Sequence, residues 1–253
     1  GVRPVVLDGV SEGQLAFLGS CVDLPSGAGA PRLLVDIGGG STQFSLGTEQ
    51  AEQVRSLDVG CVRMTEAYLR SDPPRAEDLS NAIGHVTDHF DDVLRDLPEL
   101  LDVPTIIGIG GTITAAAAVE VGRMDLDELH GFWLSRAAAE DVFRTLVTES
   151  FAERIHNPGL PEDRARTIVG GSCAVVAIMR YFGLESIQDL PGIDELKAAG
   201  LLDSKRGVSA YSTRGTDTLL FDTEESDEAL EPLMDGSEGD GDDAGEDNEK
   251  KED

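Results

Sequence analysis

Two glycine-rich stretches carry the residue types that could grip an anion. Asp36-Ile-Gly-Gly-Gly-Ser-Thr42 sets a carboxylate ahead of Gly38, Gly39 and Gly40, with the hydroxyls of Ser41 and Thr42 directly after them. About 70 residues on, the tripeptide Ile-Gly-Gly recurs, with Gly110, Gly111 and Thr112 in the corresponding places. A backbone stripped of side chains lets a ligand come close, and successive exposed N–H groups form a concavity whose usual occupant is phosphate. Ordinary tight turns use the same glycines. The repetition, with an acid before one loop and hydroxyls after both, favours anion binding. Asp36 enters its loop from an apolar run. A lone buried carboxylate is costly, so a cation or donors should face it, and Mg²⁺ (or Mn²⁺) beside a phosphate fits.

These loops need rigid elements to hold them. Leu33, Val35 and Ile37 alternate with Leu34 and Asp36, and Phe44 and Leu46 resume the alternation beyond the glycines. That is the pattern of two strands joined by a hairpin loop. Gln53 to Leu57 reads as a third strand. The second loop follows a strand over Pro104 to Ile109 and opens a helix through Ala115 to Ala118, whose N-terminus adds free N–H groups and positive dipole. Val2 to Leu7 reads as a short strand. A helix follows to Leu18, with Ser11 as cap and Glu12 in its first turn, where on spacing alone Glu12 is a carboxylate favoured by the dipole.

Further along, Gly60-Cys-Val-Arg-Met-Thr-Glu66 leads into a helix over Thr65 to Leu69, and Arg63 is either a phosphate ligand or one half of a salt bridge. The spacing over Glu77 to Leu97 predicts one amphipathic helix. His85 and His89 share a face of it at metal-compatible spacing, but with no acidic helix-mate they read as a solvated face. Leu126 to His130 reads as a turn and His130 to Leu134 as a strand. Ser135 should cap a helix over Arg136 to Thr148 with Ala137, Val142, Phe143, Leu146 and Val147 inward. Pro161 to Arg166 begins another helical stretch reaching Phe182, in which Gly170 and Gly171 permit close packing or the approach of a ligand.

Composition excludes some classes. With 253 residues and 40% hydrophobic content the chain can bury a core. A formal charge of −29 argues against nucleic-acid binding. Sixteen Asp/Glu against two lysines between Asp222 and Asp253 make much of that charge local, and 206–253 reads as a disordered acidic tail. The remainder is still acidic, so a site for polyanions must be screened by metal and oriented amides. Cys21, Cys61 and Cys173 have no metal-ligand spacing, and with no signal peptide they point to a reduced, cytoplasmic protein. No apolar run approaches the ~18 residues of a membrane span. The chain opens in mid-pattern at Gly1-Val-Arg-Pro, as a fragment would.

Asp36 to Thr42, then Leu57-Asp-Val-Gly-Cys-Val-Arg-Met-Thr-Glu66, then Gly108 to Thr114 resemble the ordered motifs of the exopolyphosphatase/guanosine pentaphosphate phosphatase (Ppx/GppA) family, over about residues 5 to 185. That family belongs to the actin-like ATPase-domain superfamily. The resemblance implies an α/β, actin-like (ribonuclease H-like) fold with a mixed central sheet flanked by helices. Residues 1–30 would be the remnant of an N-terminal lobe and 31–205 the second lobe. Glu12 falls on the position that looks like the family's catalytic base, although Ser11 replaces the acidic residue before it. Gln43 stands where the family usually carries Glu, which resembles a ligand or orienter for metal and water. Gln43 keeps an acceptor oxygen and loses a charge, so metal affinity should fall. The family's first phosphate loop and its Arg-bearing segment belong upstream of Gly1. By resemblance the substrate is polyphosphate or a guanosine polyphosphate, released as terminal phosphate, with no nucleic acid or membrane partner and a possible homodimer. A polyphosphate- or (p)ppGpp-binding regulator without turnover is the alternative, and an ATP-driven actin-like kinase or chaperone a weaker one.

Overall fold

A computed structural model describes residues 3–22, 30–190, 212–213 and 218–222. The strands are β1 (Arg3–Val6), β2 (Arg32–Ile37), β3 (Thr42–Gly47), β4 (Ala51–Leu57), β5 (Thr105–Ile109), β6 (Trp133–Ser135), β7 (Ser186–Asp189), β8 (Ser212–Thr213) and β9 (Thr218–Asp222). Six of them form a mixed sheet in the order β4-β3-β2-β5-β7-β6. β2, β3 and β4 are an antiparallel meander, β5 runs parallel to β2, β7 parallel to β5, and β6 antiparallel to β7. Both glycine loops therefore leave the C-terminal ends of neighbouring parallel strands, where ligands gather in α/β sheets. β1, β9 and β8 form a small antiparallel sheet. Two of its strands lie within the stretch expected to be a disordered tail; the rest of that stretch lies outside the described residues.

The helices are α1 (Gly9–Val22), α2 (Cys61–Tyr68), α3 (Ala76–Thr87), α4 (Phe90–Asp96), α5 (Gly111–Val121), α6 (Leu126–Leu129), α7 (Arg136–Thr148), α8 (Phe151–Arg154) and α9 (Ile168–Tyr181). Leu33, Val35, Ile37, Phe44 and Leu46 face the larger core, which they share with α3, α5, α7 and α9. Leu34, Ile107 and Ile109 face the other way and pack on Phe17 of α1. Burial on both faces explains the near-continuous apolar run of β2. α1, from the segment expected to be a remnant of another lobe, thus covers one face of this sheet.

α9 is buried from Ile168 to Met179. A Cβ on Gly170 would lie 2.4 Å from Thr65 Oγ1, and one on Gly171 2.4 Å from Thr112 Cγ2. These glycines serve close packing, one of the two roles expected of them.

Several boundaries differ from the periodicity. α2 begins at Cys61, because its first N–H groups are bonded by the glycine loop. The helix expected over Glu77 to Leu97 is two, α3 and α4, parted at Asp88 and His89. Phe90, Val93 and Leu97 stay buried across the break, so their spacing could not reveal it. Leu126 to Leu129 is a helical turn capped by Asp125, whose carboxylate accepts from the N–H of Asp127 and Glu128. Ser135 caps α7 as expected, but Ala139 and not Ala137 turns inward. Residues 162–167 are turns leading into α9.

Those turns are held by one buried side chain. Arg154, 4% exposed, donates to the carbonyls of Ala165 (3.1 Å), Leu146 (3.2 Å) and Glu149, and to Asp72 Oδ1 at 2.8 Å. It ties the end of α7, the α8 turn and the entry to α9 together.

Candidate active site

Glu12 reaches the sheet because glycine lets α1 come close. A Cβ on Gly9 would sit 2.2 Å from Ser56 Oγ, and one on Gly13 2.6 Å from Val54 Cγ1. Ser45 Oγ donates to the Gly13 carbonyl at 3.1 Å. The cap is Asp8, not Ser11: its carboxylate accepts the Ser11 N–H at 2.7 Å, a bond that holds its pKa below the usual value. Glu12 is 8% exposed. Its Oε2 accepts from Gln43 Nε2 at 2.7 Å and from Ser41 Oγ at 3.4 Å, while Gln43 Nε2 also meets Ser41 Oγ at 2.8 Å.

The first glycine loop is braced from behind by α2. The Gly38 carbonyl accepts from Cys61 N–H, the Gly39 carbonyl from Val62 and Arg63 N–H, and the Gly40 carbonyl from Arg63 Nε at 2.9 Å. In a trans peptide the carbonyl and the next N–H point in opposite directions. Three carbonyls turned to α2 therefore turn the N–H groups of Gly39, Gly40 and Ser41 away from it. This is the row of donors that an anion needs. A Cβ on Gly60 would lie 2.4 Å from Gly39, so α2 can approach only through glycine. Arg63 also bridges to Asp58 at 3.3 Å; it supports the loop's backbone.

The second loop abuts the first. Gly110 has φ 90°, a conformation L-residues rarely adopt, and a Cβ there would lie 2.8 Å from both Asp36 Oδ1 and the Ile37 carbonyl. α5 starts directly after it, with its positive end at Gly111. The guanidinium of Arg164 lies over that point: a Cβ on Gly111 would be 2.5 Å from its Cζ. Among the described residues its nearest carboxylate is Asp163, at 4.0 Å. A cation set against the positive end of a helix is unfavourable until an anion lies beside both.

Asp36 is 3% exposed, and burial alone pushes its carboxyl up to about 6. Gln43 is its cross-strand partner, so both side chains share the α1 face of the sheet. Gln43 Oε1 is buried and has no hydrogen-bond partner among the described residues. An uncompensated carboxylate beside an uncompensated amide oxygen fits a hard divalent cation. Among the described residues no group of three His, Cys, Asp or Glu could hold a metal. Asp36 and Gln43 would thus be the protein's share, with water and substrate oxygens completing the shell, the habit of Mg²⁺.

The fold brings together Glu12, Asp36, Gly38, Gly39, Gly40, Ser41, Gln43, Gly110 and Gly111. It turns two hydroxyls elsewhere: Thr42 Oγ1 donates to the Val59 carbonyl at 2.5 Å, and the Thr112 side chain packs on Gly171. The rings of His85 and His89 meet edge to face at 5.1 Å, with the Tyr68 ring 5.2 Å from His85. Arg164 was missed because nothing around Pro161 to Arg166 marks the fold that sets it over Gly111.

Asp189 was missed too. It ends β7, pairs with Gly108, and accepts from Thr114 Oγ1 at 3.0 Å on the face opposite Asp36. Its Oδ2 is buried without a partner among the described residues, and burial pushes the carboxyl up to about 7. A folded-state pKa above the unfolded one means that the folded chain holds the proton more tightly. That stability is full below the unfolded value, near 3.8, and is lost as pH rises through about 7. Asp189→Asn keeps the acceptor and cannot ionise, so its Tm should fall less than the parent's between pH 4 and 7.5. Parallel Tm–pH curves would refute this.

A mixed sheet of this order, with glycine loops at the ends of β2 and β5, defines an actin-like α/β domain. Residues 1–192 match the family described as Ppx/GppA phosphatase, and the chain belongs to that family. Exopolyphosphatase 2 of Mycobacterium tuberculosis (strain CDC 1551 / Oshkosh) is 35% identical over 201 residues, 78% of this chain and 60% of the relative. A guanosine-5'-triphosphate,3'-diphosphate pyrophosphatase of Aliivibrio fischeri (strain MJ11) is 25% identical over 183 residues, 72% of this chain and 35% of that protein. The crystal structure of the Aquifex aeolicus Ppx/GppA phosphatase, type II variant, superposes with a TM-score of 0.68 at 26% identity, covering 78% of this chain and 65% of that one. The chain thus spans about 60% or less of the length of these two curated relatives.

Proposed function

We propose that this chain carries the phosphate-gripping half of a hydrolase that releases terminal phosphate from inorganic polyphosphate or guanosine pentaphosphate, aided by Mg²⁺ or Mn²⁺. The observation that carries the reading is the convergence of a buried carboxylate, Glu12, with two abutting glycine loops and the Arg164 guanidinium. Glu12 takes a proton from water as that water attacks the terminal phosphorus; the P–O bond to the leaving phosphate chain breaks. The N–H groups of Gly39, Gly40 and Ser41, with the α5 N-terminus, bear the charge on the transferring group. Bound cation would neutralise phosphate charge as a Lewis acid. A cytoplasmic location and a homodimer belong to the proposal; no described helix is long and apolar enough to cross a membrane.

Gln43 supports a second reading, a regulator that binds the same anions without turnover, because the site lacks a second carboxylate there. Phosphate release from long-chain polyphosphate with Mg²⁺, measured on the chain as part of its full-length protein, separates the two. Release that ATP does not match supports the hydrolase. Saturable binding without release overturns it in favour of the regulator, and faster turnover of ATP overturns both.

A further inference from the structure

Gln43 stands where the family pattern has a carboxylate, and the geometry gives it work a carboxylate cannot do. It is 1% exposed and fixed in β3 opposite Asp36. Its Nε2 lies 2.7 Å from Glu12 Oε2, 2.8 Å from Ser41 Oγ and 3.4 Å from Ser56 Oγ. A carboxylate oxygen only accepts, so the amide must present nitrogen to Glu12. Ser41, which accepts from that nitrogen, can then turn its own hydrogen to the same Glu12 oxygen, 3.4 Å away. We propose that Gln43 is the positioning residue of the base: it holds Glu12 by donation, through a three-membered ring of Gln43, Ser41 and Glu12. This rests on the hydrolase reading for its kinetic consequence only. Glu at position 43 would set two like charges about as close as a hydrogen bond and supply no donor. The base of this chain is therefore held in a different way from that of family members with Glu at this place.

The test uses Gln43→Met, which keeps length and loses both the donor to Glu12 and the oxygen offered to the cation, so it is read at saturating Mg²⁺ and beside a cycle run without metal. At saturating Mg²⁺, phosphate release should show kcat lowered about 10–100-fold, as for a misplaced reacting group, with KM within about twofold, because the Nε2 donor holds the base and not the substrate. A kcat within about threefold of the parent, or a loss carried by KM, overturns the proposal. Glu12→Met, Gln43→Met and the double variant, unfolded thermally without substrate or metal, form a cycle that needs no activity. The double variant should lose less Tm than the two single losses together; strict additivity overturns the ring. A coupled cycle in a protein that releases no phosphate keeps the ring and removes the hydrolase reading. Turnover with an additive cycle does the reverse.

Discussion

Glu12→Gln should lower phosphate release about 10²–10⁴-fold, the usual contribution of a positioned base, while Tm moves by only a few degrees. The substitution keeps the volume of a side chain 8% exposed and keeps an oxygen to accept from Gln43 and Ser41. It removes the negative charge and with it the ability to take a proton. KM should change little, since on the proposed reading backbone N–H groups and Arg164, not Glu12, grip the anion. Phosphate release and thermal unfolding on the same preparation decide the matter. Residual turnover within about threefold of the parent would mean that another group accepts the proton.

Arg154→Ala should be the most destabilising substitution of a charged residue described above, by about 3–5 kcal/mol, since each buried acceptor left without its donor costs about 1–3 kcal/mol. Three carbonyls would lose their donor inside the protein: Leu146, Glu149 and Ala165. The Asp72 end is 43% exposed and screened by water, so most of the loss comes from the carbonyls. A Tm fall of roughly 10 °C is expected for a folded unit of this size. Arg154→Lys, which keeps the charge but cannot reach four acceptors, should recover only part. A fall of under about 2 °C for the alanine variant would show that water replaces the guanidinium.

Much of this was legible in the residues. The alternation around Asp36 gave β2 and β3, and the repeated Ile-Gly-Gly marked both loops, because close backbone approach leaves glycine as its trace. Ser135 was readable as a cap since the bond it makes is local. What stayed hidden depends on partners distant in sequence. Asp189 looks like any surface acid until Thr114, 75 residues away, is set beside it. Thr42 reads as a phosphate hydroxyl but is turned by Val59. The exchange from Glu to Gln at residue 43 was visible, yet its meaning was not: spacing suggested a weaker metal ligand, and only contact with Glu12 makes the amide a donor. The break at His89 left no mark because the buried side chains keep helical spacing through it.

The contact of α1 with the sheet has a consequence for variation at a distance. Gly9 and Gly13 let the α1 main chain press directly on the side chains of Ser56 and Val54. The gap between base and loop is thus a ruler with helix main chain on one side and short sheet side chains on the other. A single methyl at residue 9 or 13 would act as a wedge, lifting the acid out of reach while every residue that touches the ligand stayed as it was.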